Sequence, residues 1–187
     1  MTPFEYLSVL VSIIVGLALT QLLSGAARLI QLRRRIPMHA PTLLWMAMLF
    51  LIDVQVWWVA FERRTSQQWT FFNFLLYLLI PIGVFLLSYL VLPDMGDEDS
   101  PDLRANFEGN RTWFFGLLAS LPAISLLEQA VRDGTLRFDG DVAFRVAFIV
   151  LALVAARVGN ARYQLWNAAV ALVLFVGYVL ALFLRLR

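Results

Sequence analysis

Long uninterrupted runs of apolar residues alternate along this chain with short polar connections. A bilayer core about 30 Å thick takes about 20 residues of helix to cross. Six runs approach or meet that length, over residues 4–30, 41–61, 69–92, 113–131, 142–158 and 165–184. None shows the alternation of apolar and polar residues that a β-barrel strand requires. The pattern predicts an all-α fold, a polytopic transmembrane helical bundle of six spans forming one domain over residues 1–187. The fifth run is the weakest, because Arg145 and Arg157 intrude near its ends, from where long side chains are expected to snorkel to the interface.

The connections carry their own signals. "PDMGDEDSPDLRANFEGNR", residues 93–111, is the longest; it is acidic, contains Pro and Gly, and reads as a solvated loop. Its carboxylates Asp94, Asp97, Glu98, Asp99 and Asp102 lack the spacing of a calcium-binding EF-hand loop. "RDGTLRFDGD", residues 132–141, holds two Asp-Gly turn signals. Trp45, Trp57, Trp58, Trp69, Trp113 and Trp166 all fall near a predicted helix end, the depth at which an indole sits with its ring buried and its N–H wet.

Composition narrows the function classes. The chain is 61% hydrophobic, against about 45–50% for soluble domains, and its mean hydropathy is +0.77. With no Cys and His39 as the single His, disulfides, thiol chemistry and a Cys/His metal cluster within one chain are excluded. No Gly-rich phosphate loop, nucleophile elbow or zinc motif occurs, and no pair of catalytic groups can be assigned. The expectation is a protein without enzymatic activity, cofactor or metal. A net charge of +2 is too small to suggest nucleic acid, so the expected partners are the lipid bilayer and, through helix packing, further copies of the chain. "MTPFEYL" lacks the basic start of a signal peptide and the first run is too long for one, so it reads as a retained span.

Arg28, Arg33, Arg34 and Arg35 form the densest basic cluster. The bias of cytoplasmic loops toward Arg and Lys therefore favours an N-terminus outside and the first connection inside. Two stretches, "LALTQLLSGAAR" (17–28) and "LPAISLLEQAVR" (121–132), can be superposed at Leu17, Leu22, Leu23, Ala26 and Arg28. Related halves of three spans each would be inverted repeats, an arrangement that recurs in transporters.

The opening "FEYLSVLVSIIVGLALTQLLSG", the pair Trp57–Trp58, and the acidic loop running into "NRTWFFGLL" resemble a group of small bacterial polytopic inner-membrane proteins. The resemblance covers most of the chain. It implies a multi-pass location in a bacterial inner membrane and carries over no functional residue, because no activity is established for the group.

Candidate residues come from the apolar runs. Ser8, Ser12, Gly16, Thr20 and Ser24 recur every fourth residue in the first run. Small residues at this spacing let helices approach closely in lipid, so the stripe is expected to be a packing seam, within the chain or across an oligomer. Gly16→Leu should then disrupt more than Val15→Leu. The alternative reading is a polar path. A weaker stripe recurs at Gly116, Ala119, Ser120 and Ala123, beside Pro122.

Asp53, in "LFLIDVQVWW", lies about 18 Å from the start of the second run at 1.5 Å per residue. A carboxylate at that depth costs at least about 2.5–3.5 kcal/mol, so it must face the bundle interior and be paired or protonated. Gln21 and Thr20 lie at matching depth as partners for a structural hydrogen bond; the sharper alternative is a carboxyl that handles protons or ions. Glu128 lies toward the end of the fourth run, where Glu128–Arg145 and Glu5–Arg145 pairs compete with side chains that simply reach water. The reading that follows is a channel or transporter for a small solute or ion, with a non-transporting accessory, sensor or scaffold module as the alternative.

Overall fold

A computed structural model describes residues 3–62, 70–93, 101–135 and 138–182. It is all-helical over these residues: α1 (Pro3–Leu32), α2 (Ala40–Glu62), α3 (Phe71–Val91), α4 (Leu103–Asp133), α5 (Gly140–Arg157) and α6 (Ala161–Leu182). Five of the six are long and apolar enough to cross a membrane, which makes this a multi-pass helical membrane protein. The exception, α5, has 18 residues and carries Asp141, Arg145 and Arg157. Large apolar side chains point outward around the bundle, among them Ile13, Leu17, Leu23, Phe72 and Val173. A soluble protein does not expose apolar surface on this scale.

Local chemistry sets the helix ends. Thr70 caps α3 by accepting a hydrogen bond from the Asn73 N–H at 3.2 Å. Asp102 caps α4, accepting from the N–H groups of Arg104 and Ala105 at 2.9 and 3.0 Å. This cap corrects the sequence expectation that residues 93–111 are all loop: the helix begins ten residues before Trp113. Its 31 residues span about 46 Å, more than the hydrocarbon core, so the polar first turns bearing Arg104, Asn106, Glu108 and Arg111 project beyond it. The carboxylates Asp94, Asp97, Glu98 and Asp99 lie outside the described residues, as does Trp69. Of the two Asp-Gly pairs, the first ends α4: Gly134 adopts φ +69°, a left-handed conformation natural to glycine. The second starts α5, where Asp139 accepts from the Val142 N–H at 3.0 Å.

Helix α2 is central and packs on α1, α3, α4 and α6, while α4 lies between α3 and α5. The two halves of the chain are not packed alike: α1 lies against α3, but α4 makes no such contact with α6 among the described residues. That difference counts against a 3+3 repeat.

Successive helices run in opposite directions, as their contacts show. At one end, the Asn106 side chain of early α4 donates to the Leu90 carbonyl of late α3 at 3.3 Å, and Arg111 donates to the Ala156 carbonyl of late α5 at 3.4 Å. Gln164 of early α6 donates to the carbonyls of Ala155 and Val158 at 2.9 and 2.5 Å. The free carbonyls at the α5 C-terminus are thus satisfied by two neighbouring helices. At this same end, rings of Trp45, Phe107, Phe114 and Phe115 interlock at centroid separations of 5.2–6.5 Å, and His39 lies 5.3 Å from Phe107. Trp45 is buried here and is not an interfacial anchor; Trp57, Trp113 and Trp166 are exposed.

The buried seam of α1 is Val11, Val15, Ala18, Leu22, Gly25 and Leu29, spaced alternately four and three residues apart, as a helix that packs along its length requires. The small polar stripe lies on another side of the helix and faces away: Ser12, Gly16, Thr20 and Ser24 are exposed and Ser8 is half-buried. A Cβ on Gly16 would touch nothing. The hydroxyl of Thr20 donates to the Gly16 carbonyl at 2.7 Å and that of Ser8 to the Glu5 carbonyl at 3.0 Å, each satisfied by its own helix. No seam within the chain therefore forms on this stripe; inside the bundle Val15 is the residue that packs, and the Gly16 face is left for a second copy. The close approach belongs to Gly25, where a Cβ would collide with Leu92. Gly83 of α3 plays the same part against Leu121 of α4.

Candidate functional site

Asp53 lies just past the midpoint of α2 and is fully buried. Neither carboxyl oxygen accepts a hydrogen bond from any described residue. The partners proposed from sequence do not reach it. Thr20 points outward and is bonded to its own helix, and Gln21 stands half-buried at the edge of the α1 seam, because the packed face runs through Ala18 and Leu22. Glu128 is also buried, and its carboxylate is held by Arg132 one turn on, at 3.1 and 3.3 Å. Arg145 does not pair with it.

Arg145 instead anchors a cluster that sequence reading missed. Its guanidinium grips Asp141, one turn earlier on α5, through Nε to Oδ1 at 3.2 Å and through Nη2 to Oδ2. Its Nη1 donates to Ser125 Oγ at 3.2 Å and to Gln129 Oε1 at 3.0 Å, both on α4. The Tyr178 hydroxyl of α6 donates to Asp141 Oδ1 at 2.5 Å, and the Tyr178 ring stacks on Phe144 at 4.1 Å and 6°. One ion pair therefore ties together α4, α5 and α6. The pair is four-fifths buried, at 19% and 21% exposure, so its two ends depend on each other and on the surrounding donors and acceptors. The i, i+4 spacing of Asp141 and Arg145 was the signal available in the sequence; the partners on α4 and α6 had none.

Beside this cluster lies a cavity of about 170 Å³. Its walls come from every helix except α1. The polar contributors are Gln55, Tyr77, Ser125, Arg145 and Tyr178, and the remainder is aliphatic or aromatic. Asp53 is not part of the wall, but Ile52, next to it, and Val56, three residues on, both are. Pro81 and Pro122 lie inside α3 and α4. Each lacks an N–H and so cannot donate the helical bond to the residue four positions earlier; those residues are Tyr77 and Leu118, and both line the cavity.

The fold and site together define a multi-pass helical bundle with a half-open cavity of mixed apolar and polar lining. No protein-family model matches the chain, and neither a characterised protein nor a solved structure matches it.

Proposed function

We propose that this protein is a channel or transporter for a small solute or ion in a bacterial inner membrane, with Asp53 as its intramembrane carboxyl and the cavity as the resting place of the solute. The observation that supports this reading is the burial of Asp53 without a hydrogen-bond partner among the described residues. A carboxyl kept only for structure would be expected to carry a bond between helices, and isolated ionisable groups inside a membrane are expensive and associated with ion and substrate pathways. The test is flux into proteoliposomes under proton and cation gradients, run beside thermal stability. Asp53→Asn keeps size and polarity but cannot exchange a proton; it should abolish flux and leave the melting temperature nearly unchanged. Wild-type protein that moves nothing under any gradient would count against transport.

In the proposed orientation both termini face outward, and the Arg33–Arg35 connection and the interlocked aromatic end face the cytoplasm. The chain has no native Cys, so a Cys placed at residue 36 or 38 is a clean probe. An impermeant external reagent should fail to label it in intact cells; labelling would reverse the orientation.

A second reading, a non-transporting accessory or scaffold module, is favoured by one feature. The stripe of Ser12, Gly16, Thr20 and Ser24 is turned to the outside of the bundle, where a second membrane helix could pack closely.

A further inference from the structure

The walls of the cavity define a class of ligand more narrowly than "small solute". Arg145 is the only charged residue lining it among the described residues. Its charge is already met by Asp141, and its Nη1 is occupied by Ser125 and Gln129. The neighbouring carboxylate, Glu128, is likewise matched by Arg132. An ion entering this half-open pocket would lose part of its hydration and meet no unmatched counter-charge in the wall, which is the unfavourable half of ion pairing without the favourable half. Most of the remaining wall is apolar and aromatic, with Phe144, Phe148, Phe175 and Tyr178 on one side. Gln55 adds an amide, a group that can both donate and accept. The volume, about 170 Å³, is close to the roughly 150 Å³ that accommodates benzene in an engineered apolar cavity.

We propose that the cavity binds a neutral molecule the size of a single ring, mostly apolar and carrying one hydrogen-bonding group that Gln55 recognises. This rests on the cavity being the solute site of the proposed transport function, and it separates the roles there: the cavity takes the neutral solute, and any ion that moves is handled at Asp53.

Binding is measured apart from flux, on the full chain in nanodiscs, by fluorine NMR with protein-free nanodiscs subtracted. Three probes share one ring: para-fluorophenol, para-fluorobenzenesulfonate and para-fluorobenzyltrimethylammonium. The phenol should bind saturably at one site, and the permanent anion and cation at least about tenfold more weakly. Val59→Phe and Leu118→Phe each fill the cavity from a different helix, so one can serve if the other fails to fold; either should weaken phenol binding by about tenfold or more. Gln55→Leu should weaken the phenol by about three- to tenfold, the size of one hydrogen bond, while leaving the two ions unchanged. Either ion binding as tightly as the phenol would overturn the proposal. So would an absence of saturable phenol binding, or phenol binding that survives in both cavity-filling variants. Saturable binding in a protein that shows no flux would leave the ligand class standing and remove the transport reading instead.

Discussion

Where α1 turns into α2, the rings of Trp45, Phe107, Phe114 and Phe115 fill the space between helices completely enough that all four are 3% exposed or less. At the opposite end Phe144, Phe148, Phe175 and Tyr178 are just as abundant, yet they surround about 170 Å³ of space. Aromatic content does not separate the two regions; backbone and charge do. At the tight end the rings meet edge to face. The open end has a proline in each of two adjacent helices, α3 and α4, and a guanidinium whose bonding partners lie on two helices. A side chain committed to four hydrogen bonds cannot rotate to fill a gap, so the Arg145 cluster holds its helices at a set distance. The lesson is that in a membrane bundle, where lipid is as apolar as the core, a cavity is maintained by fixed polar geometry and not by a shortage of apolar side chains.

Matched truncations test this contrast most strongly. Phe115→Ala removes a ring enclosed on all sides and should cost about 3–5 kcal/mol. Phe148→Ala enlarges a space that already exists and should cost about half as much. Thermal unfolding of both in one detergent decides it; equal losses would mean that the open end is packed as firmly as the closed one.

A smaller effect concerns the clamp. Arg145→Leu leaves Asp141 held only by Tyr178. Breaking a fully buried pair costs about 3–5 kcal/mol, and the one-fifth exposure of both side chains reduces the expectation to about 2 kcal/mol. Adding Asp141→Asn should recover part of that loss, because the stranded charge is removed with its partner. Additive losses in the double-mutant cycle would show that the two residues act independently.

The smallest effect belongs to the tight end. His39 donates to or accepts from Thr42 Oγ1 at 2.9 Å, outside the spans. Burial, and then the positive charge of Arg104, hold its pKa below the ordinary histidine value. The folded protein therefore binds a proton at His39 less readily than the unfolded chain does. The stabilisation is complete above the unfolded pKa of about 6.5 and is lost as pH falls through and below it. Melting temperature should decline from neutral toward mildly acidic pH, and His39→Gln should flatten that decline. An unchanged slope in the variant would assign it to other groups.

Much of this architecture was legible in the sequence because it depends on one-dimensional quantities. Apolar runs long enough to cross lipid predict helices at α1, α2, α3 and α6 within a few residues of their observed bounds. The burial of Asp53 was legible too, since a carboxylate in the middle of an apolar run has nowhere tolerable to go except the interior. The start of α4 was hidden because its first turns are polar and extend past the membrane; only the Asp102 cap marked it.

What tertiary structure alone decided is which face of each helix meets which neighbour. Periodicity in α1 showed a stripe of small residues, but in lipid both a Leu-rich face and a Gly/Ser face tolerate the outside, so hydrophobicity does not choose between them as it would in water. Shape chose: Val11, Val15, Ala18, Leu22 and Gly25 fit against the bundle, with Gly25 making room for Leu92, and the Gly16 stripe was left facing out. The cavity was decided the same way. Gln55, Ser125, Arg145 and Tyr178 are far apart in the chain and come together only because α2, α4, α5 and α6 converge there. Their spacing along the chain carries no trace of that convergence, because it is set by packing between helices and by hydrogen bonds that exist only once those helices have met.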